Sequence, residues 1–355
     1  MTGKMGSETL LIITPFVPAQ AWISDLRKKV PGIKIHVHPT KMYAEEIPKA
    51  VPAELWEKAT ALYTWKAFPP LELAPNLQYV QLHSAGANQI LGLPLFEKTD
   101  IVFSTSNGVH PPQISEWVFA SFLGFQHHFH EHLQNQKERN WVDPDSDEDV
   151  EDAVGLRVGI LGYGAVGRQV ARVAKAFGMD VHAYTLHERP TPESRRDDGF
   201  TEPGLGDPAG EFPSKWFYGK EQLDDFLGSD LDLLVITLPA TPATANMIGH
   251  DQFFILSKKK TFISNVGRGS VIDTEALIAA LDSNQIRGAA LDVTEPEPLP
   301  ADSKLWGYKN VFITPHCAGN SNHFNERTFK ILTYNLERRS KGQPVVNQVD
   351  RSLGY

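Results

Sequence analysis

The stretch LRVGILGYGAVGRQVARVAKAFG, residues 156–178, decides the fold. It opens with an apolar run of strand length, turns through GYGAVG, and continues with apolar residues at helical spacing. Val166, Val170, Val173, Ala174 and Phe177 fall on one helical face, and Gly178 suits the position past the helix end. Each glycine of the GxGxxG turn has its own task. Gly162 permits the tight turn, Gly164 lets a pyrophosphate approach the backbone, and Gly167 lets helix and strand touch. The N–H groups at the helix start, around Ala165 and Val166, then face the phosphates. A lone GxGxxG is a weak signal. With a strand before it and a helix after it, the pattern predicts a dinucleotide site in a parallel α/β sheet.

The next strand, DVHAYT (180–185), ends where an acid would hold the ribose 2′-hydroxyl of NAD. Thr185 stands there instead and carries no charge to repel a 2′-phosphate. Arg189 follows, with Arg195 and Arg196 in the same segment, and a guanidinium pairs with phosphate through two hydrogen bonds. The expected cofactor is therefore NADP(H). NAD(H) is the alternative, because Glu188 is close enough to serve the hydroxyl.

Outward from this unit, the chain of 355 residues has room for two domains. Before it, LLIIT (10–14), IKIHV (33–37) and LQYVQL (77–82) read as strands, with a helix at 19–30, so residues 9–125 form another α/β series. A long helical segment is expected over 113–133, then a solvated acidic loop over 143–152. Residues 186–219, rich in Pro, Gly and charge, read as an irregular surface excursion. A net charge of −9 argues against a general nucleic-acid or anionic-membrane surface. No stretch approaches transmembrane length, the start MTGKMGSETLLIITPF lacks a leader pattern, and RSLGY at the end is not a peroxisomal address. With one cysteine and no targeting signal, the cytoplasm is the default location.

Downstream, three strands each lead into a polar residue. FISNVGRGSVID (262–273) carries Arg268, GAALDVTEPEPLP (288–300) carries Glu295 and Glu297, and VFITPHCAGN (311–320) carries His316. In a parallel sheet the C-terminal strand ends gather along one edge, where ligands bind. With GYGAVG and LPATPAT (238–244), these motifs resemble the D-isomer-specific 2-hydroxyacid dehydrogenase family over nearly the whole chain, closest to its glyoxylate/hydroxypyruvate reductases.

That resemblance implies two Rossmann-like domains of parallel sheet with a cleft between them. The substrate domain would take residues 1–125 and 317–355, and the dinucleotide domain 126–316. It implies a reversible reduction of a small 2-oxo acid to its D-2-hydroxy acid. Arg268 would hold the substrate and His316 would act as acid and base, paired with Glu297, the glutamate directly before Pro-Leu-Pro. Leu238, Pro239, Thr244, Asn265, Val266, Asp292 and Gly319 would line the cofactor, and Ala85, Gly86 and Ala87 would receive the substrate carboxylate. Trp65, in TWKAFPP (64–70), is a candidate pocket wall. A homodimer is implied as well. The residue types suit the chemistry. A permanently charged, forked arginine grips a carboxylate, and an imidazole exchanges a proton near neutral pH.

Two further features are expected to be silent. Cys317 follows His316 directly, and on an extended segment neighbours point apart, so the thiol is read as a bystander. QHHFHEH (126–132) places His128 and His132 one turn apart without a third ligand, so no metal is expected. The rival function is a dinucleotide-sensing, corepressor-like binding protein, a role relatives of this fold fill with the same three residues.

Overall fold

The structure is a computed structural model that describes residues 8–41 and 51–352. The first seven residues of MTGKMGSETLLIITPF and the last three of RSLGY lie outside them. The chain divides into two compact units, Met1–His110 with Asp198–Phe200 and Ser321–Tyr355, and Pro111–Asp197 with Thr201–Asn320. The changeovers at 110/111 and 320/321 compare with 125/126 and 316/317 from the sequence.

Unit one is a five-stranded parallel sheet of β1 (Thr9–Ile13), β2 (Lys34–Val37), β3 (Ala61–Thr64), β4 (Tyr79–Leu82) and β5 (Val102–Ser104), in the order β2-β1-β3-β4-β5. Alternation along β1 sends Leu10 and Ile12 to one buried face and Leu11 and Ile13 to the other. The first face packs on the helices Gln20–Lys29 and Phe324–Ser340 through Ile23, Leu26, Phe329, Leu332 and Leu336. Buried Asn335 fixes the closing helix, since its Nδ2 donates to Gln81 Oε1 at 3.0 Å and its Oδ1 accepts from Val346 N–H at 2.8 Å.

Unit two is a seven-stranded parallel sheet. Its strands are β6 (Arg157–Leu161), β7 (Asp180–Thr185), β8 (Lys215–Tyr218), β9 (Leu233–Ile236), β10 (Phe262–Asn265), β11 (Gly288–Leu291) and β12 (Val311–Ile313). Their order is β12-β11-β10-β9-β6-β7-β8. The order reverses at β6, and such a switch point opens a crevice beyond the strand ends. Helices cover both faces, which explains why β9 and β10 are buried along their whole length. Both units therefore have the expected α/β class.

Three local expectations need correction. The single helix over 113–133 is two helices, Pro111–Gln126 and Phe129–Glu138, parted by His128 in a left-handed conformation (φ 53°). The apolar stripe ends with the first helix, and Phe129 and Leu133 of the second are exposed, so no core continues the first axis. The excursion 186–219 is not wholly irregular, since it holds the short helix Pro192–Arg195 and ends in edge strand β8. Phe177 leaves the buried helical face and is 38% exposed, its ring tilted 39° to that of Phe119 at 5.3 Å. Residues 143–152 are exposed throughout. Among the described residues, no helix is long and apolar enough to cross a membrane.

Candidate active site

The cradle sits between β6 and the helix Ala165–Ala176, with Gly164 as the N-cap. Gly162 has φ 108°, which a side chain rarely adopts, and a Cβ there would come 2.8 Å from Thr237 Oγ1. A Cβ at Gly167 would strike the backbone of Gly162, whereas one at Gly164 meets nothing within 4 Å. The turn is thus packed on its inner side and open beside Gly164, at the helix start where the first-turn N–H groups of Ala165, Val166 and Gly167 have no intrahelical acceptor. A diphosphate fits that shape.

The neighbouring strand ends close round it. Leu238 and Pro239 follow β9, and a Cβ on Gly267 would come 2.6 Å from Leu238 O, so the loops after β9 and β10 touch. Thr244 Oγ1 donates to Pro239 O at 2.7 Å and accepts from Thr241 N–H at 2.9 Å, shaping that loop. Val266 N–H donates to Ile236 O at 3.1 Å. On the other flank, Thr185 ends β7 and its hydroxyl donates to His187 O at 2.7 Å. Arg189 is half-buried, with Nη1 donating to Ser194 O at 2.6 Å.

Arg268, Glu297 and His316 follow β10, β11 and β12, three adjacent strands. Asn265 shapes the arginine turn, donating from Nδ2 to Arg268 O at 3.0 Å and accepting Gly267 N–H at 3.1 Å. Arg268 Nη1 donates to Gly267 O at 2.7 Å, leaving the rest of its five donors for other partners. Gly269 permits the next contact, since a Cβ there would overlap the backbone at Thr294 and Glu295. The arginine turn is therefore pressed against the acidic turn. Within it Glu295 offers its backbone oxygen to Thr274 Oγ1 at 2.8 Å, and Glu297 is the one that meets the histidine. His316 Nδ1 lies 2.6 Å from Glu297 Oε1, and the side chains are 49% and 42% exposed.

Asp292 is where sequence inspection read least. Its buried carboxylate accepts the Thr314 hydroxyl at 2.6 Å and the N–H groups of Cys317 and Ala318 at 2.8 and 3.0 Å, while its carbonyl accepts His316 N–H at 2.9 Å. It staples the histidine turn. His316 is left-handed there (φ 52°), so the extended-strand alternation used for Cys317 does not hold at this turn. Gly319 O accepts from Gln113 Nε2 at 2.9 Å.

In unit one, Ala85, Gly86 and Ala87 form the turn after β4. Ser84 Oγ donates to Gly86 O at 2.7 Å, and Gln89 Nε2 bridges Ser84 Oγ at 2.6 Å to Trp65 O at 3.4 Å. The Trp65 ring is half-buried, 5.6 Å from the ring of His83. His83 is buried in this aromatic cluster, and burial lowers its pKa to about 4. Elsewhere His128 Nε2 lies 3.1 Å from Asp149 O, and among the described residues no three potential metal ligands gather. Sequence inspection also passed over Arg168, Gln169 and Asp207, buried polar residues that hold the 186–214 segment. The signal was present in Arg168 and Arg172, spaced one turn apart on a helix whose other residues are mostly apolar.

A family model described as D-isomer specific 2-hydroxyacid dehydrogenase, NAD binding domain, matches residues 119–204 and 214–318. The chain is 28% identical over 294 residues to a hydroxypyruvate reductase of Blautia hydrogenotrophica, covering 81% of this chain and 84% of that one. It is 26% identical over 366 residues to a glyoxylate/hydroxypyruvate reductase A of Photorhabdus laumondii, covering 98% and 99%. Among solved structures it resembles an NADPH-dependent glyoxylate/hydroxypyruvate reductase from Sinorhizobium meliloti in complex with NADP and sulfate, with TM-score 0.70, 26% identity and coverage of 98% and 100%.

Proposed function

This chain belongs to the D-isomer specific 2-hydroxyacid dehydrogenase family, and from that premise we propose that it reduces glyoxylate- or hydroxypyruvate-type 2-oxo acids to D-2-hydroxy acids, preferring NADPH. The observation that carries the proposal is the 2.6 Å pairing of His316 Nδ1 with Glu297, beside the turn that bears Arg268. When bound, the reduced nicotinamide supplies the hydride. Gly162, Gly164, Ala165, Val166 and Gly167 would hold its diphosphate, and Leu238, Pro239, Thr244, Asn265, Val266 and Gly319 would line the rest of it. Asp292, its carboxylate engaged by the histidine turn, acts on that turn in addition to lining the cofactor.

The remaining chemistry belongs to side chains. Glu297 occupies Nδ1 of the imidazole, which leaves Nε2 to give its proton to the carbonyl oxygen as the alcohol forms. The same carboxylate fixes the orientation of the ring. Arg268 directs its free donors at the substrate, binding the carboxylate and polarising the carbonyl. The backbone N–H groups of Ala85, Gly86 and Ala87 are assigned to the carboxylate, and Trp65 to the pocket wall. Thr185, without charge, and Arg189 underlie the NADPH preference. The protein is a homodimer in this reading, supported by the exposed apolar residues Phe129, Leu133 and Trp141 at 59%, 57% and 89%.

The test is oxidation of NADPH and NADH with glyoxylate, hydroxypyruvate and bulkier 2-oxo acids, with chiral analysis of the product. Turnover to the D-product with the lower KM for NADPH is expected. Dinucleotide binding without turnover on any acid would point instead to a binding protein.

A further inference from the structure

The segment between β7 and β8 leaves the sheet at Thr185 and returns at Lys215. Connections of this length are usually either functional or mobile. This one is mostly on the surface, yet the residues that grip it are buried: Tyr163 at 5% exposure, Arg168 at 4%, Gln169 at 6% and Asp207 at 3%.

Arg168 is central. Nη1 donates to Asp207 O at 2.6 Å, Nη2 donates to Arg195 O at 2.7 Å, and Nε lies 3.9 Å from Asp197 Oδ2. Around it, Gln169 Oε1 accepts Gly206 N–H at 2.6 Å and Arg172 Nε donates to Gly206 O at 2.7 Å. Tyr163 OH donates to Asp207 Oδ2 at 2.7 Å, and the same carboxylate accepts the N–H groups of Glu211 and Phe212 at 3.0 and 3.1 Å.

Removing a guanidinium from water is costly, and backbone carbonyls compensate it less fully than a close carboxylate would. What the burial achieves is position. The backbone N–H of Arg168 donates to Gly164 O at 2.9 Å, so this residue closes the first helical turn of the glycine cradle. Its side chain fixes Arg195 O at the other end. Arg195 Nε in turn donates to Arg189 O at 2.9 Å, and Arg189 Nη1 returns to Ser194 O at 2.6 Å. The Arg195 guanidinium lies 5.6 Å over the Trp216 ring of β8, which closes the frame. An unbroken series of contacts runs from the cradle through Arg168 to the turn that carries Arg189.

We infer that Arg168 is a positioning residue for cofactor choice, holding Arg189 ready at the ribose end of the cradle so that a 2′-phosphate meets an arginine already in place. The inference rests on the NADPH preference proposed above. It goes further in assigning the selectivity to a residue that does not itself touch the phosphate.

Equilibrium titration of the full-length protein with NADPH and with NADH, read by calorimetry or tryptophan fluorescence, tests it. Arg168→Lys keeps the charge and loses the fork that spans two carbonyls. NADPH Kd is expected to rise about tenfold while NADH Kd stays within about twofold. In an Arg189→Ala background, Arg168→Lys should add no further NADPH loss, because its effect passes through Arg189. Equal losses for both cofactors, no loss for either, or additive losses in the double variant would overturn the inference. Tyr163→Phe removes only one hold on Asp207 and serves if Arg168→Lys does not fold. A one-sided NADPH loss of about threefold supports the inference, and an unchanged NADPH/NADH ratio overturns it. A wild type that favours NADH removes the underlying reading. A wild type that favours NADPH, with that preference intact in Arg168→Lys, removes the inference alone.

Discussion

The histidine turn after β12 and the excursion after β7 both leave the same edge of the seven-stranded sheet, and they are held in opposite ways. The turn is short, and one buried carboxylate, Asp292, takes a hydroxyl and two N–H groups within it. The excursion is long, and Tyr163, Arg168, Gln169 and Arg172 share the work of holding it. A concentrated anchor suits a turn that must place one imidazole within hydrogen-bond reach of a glutamate. A distributed anchor suits a segment whose overall course matters more than any single atom.

That contrast breaks most visibly where chemistry is removed. Arg268→Ala should lower kcat by about 10²–10³-fold, the usual cost of a lost donor to developing charge. Steady-state kinetics with hydroxypyruvate checks it, and a change confined to KM would mean the guanidinium binds without catalysing. Asp292→Ala should cost about 3 kcal/mol of stability, because buried donors lose their acceptor, and turnover should fall with it. Urea melts and kinetics on one preparation measure both.

The end of β4 extends the comparison, because the residue that follows it, His83, is a buried ring packed among aromatic side chains. His83 has its pKa lowered to about 4 by burial, against 6.5 ordinarily. The unfolded chain therefore takes up the proton first as pH falls. The stability is complete above about pH 6.5 and is lost as pH drops toward 4. Between pH 7 and 4.5 the stability difference between wild type and His83→Gln should shift by about 2–3 kcal/mol against the wild type. A difference that stays flat over that window contradicts the burial of a neutral ring at this position. Asp207→Ala gives the smallest effect, about 2 kcal/mol, since other contacts still hold the excursion. Its melting point should fall while kcat at saturating cofactor stays within a few fold of wild type.

The legible parts of the molecule were those where backbone and side chain say the same thing. β6, the glycine turn and the following helix are written in consecutive residues, and β10 to β12 each run straight into a polar residue. β3 and β5, ALYT and VFS, are too short to announce themselves. The break at His128 depends on where the core ends rather than on a helix breaker in the sequence. The stapling role of Asp292 and the whole role of Arg168 were hidden for one reason. Their partners are backbone groups tens of residues away or across a turn, and no local periodicity records such contacts.

The most direct test is His316→Ala, followed by the rate of NADPH oxidation with saturating hydroxypyruvate alongside NADPH affinity by titration. Loss of the proton donor should lower kcat by about 10²–10⁴-fold while the cofactor Kd stays near wild type. A kcat unchanged within about twofold would contradict the assignment of the histidine–glutamate pair as the proton-transferring centre.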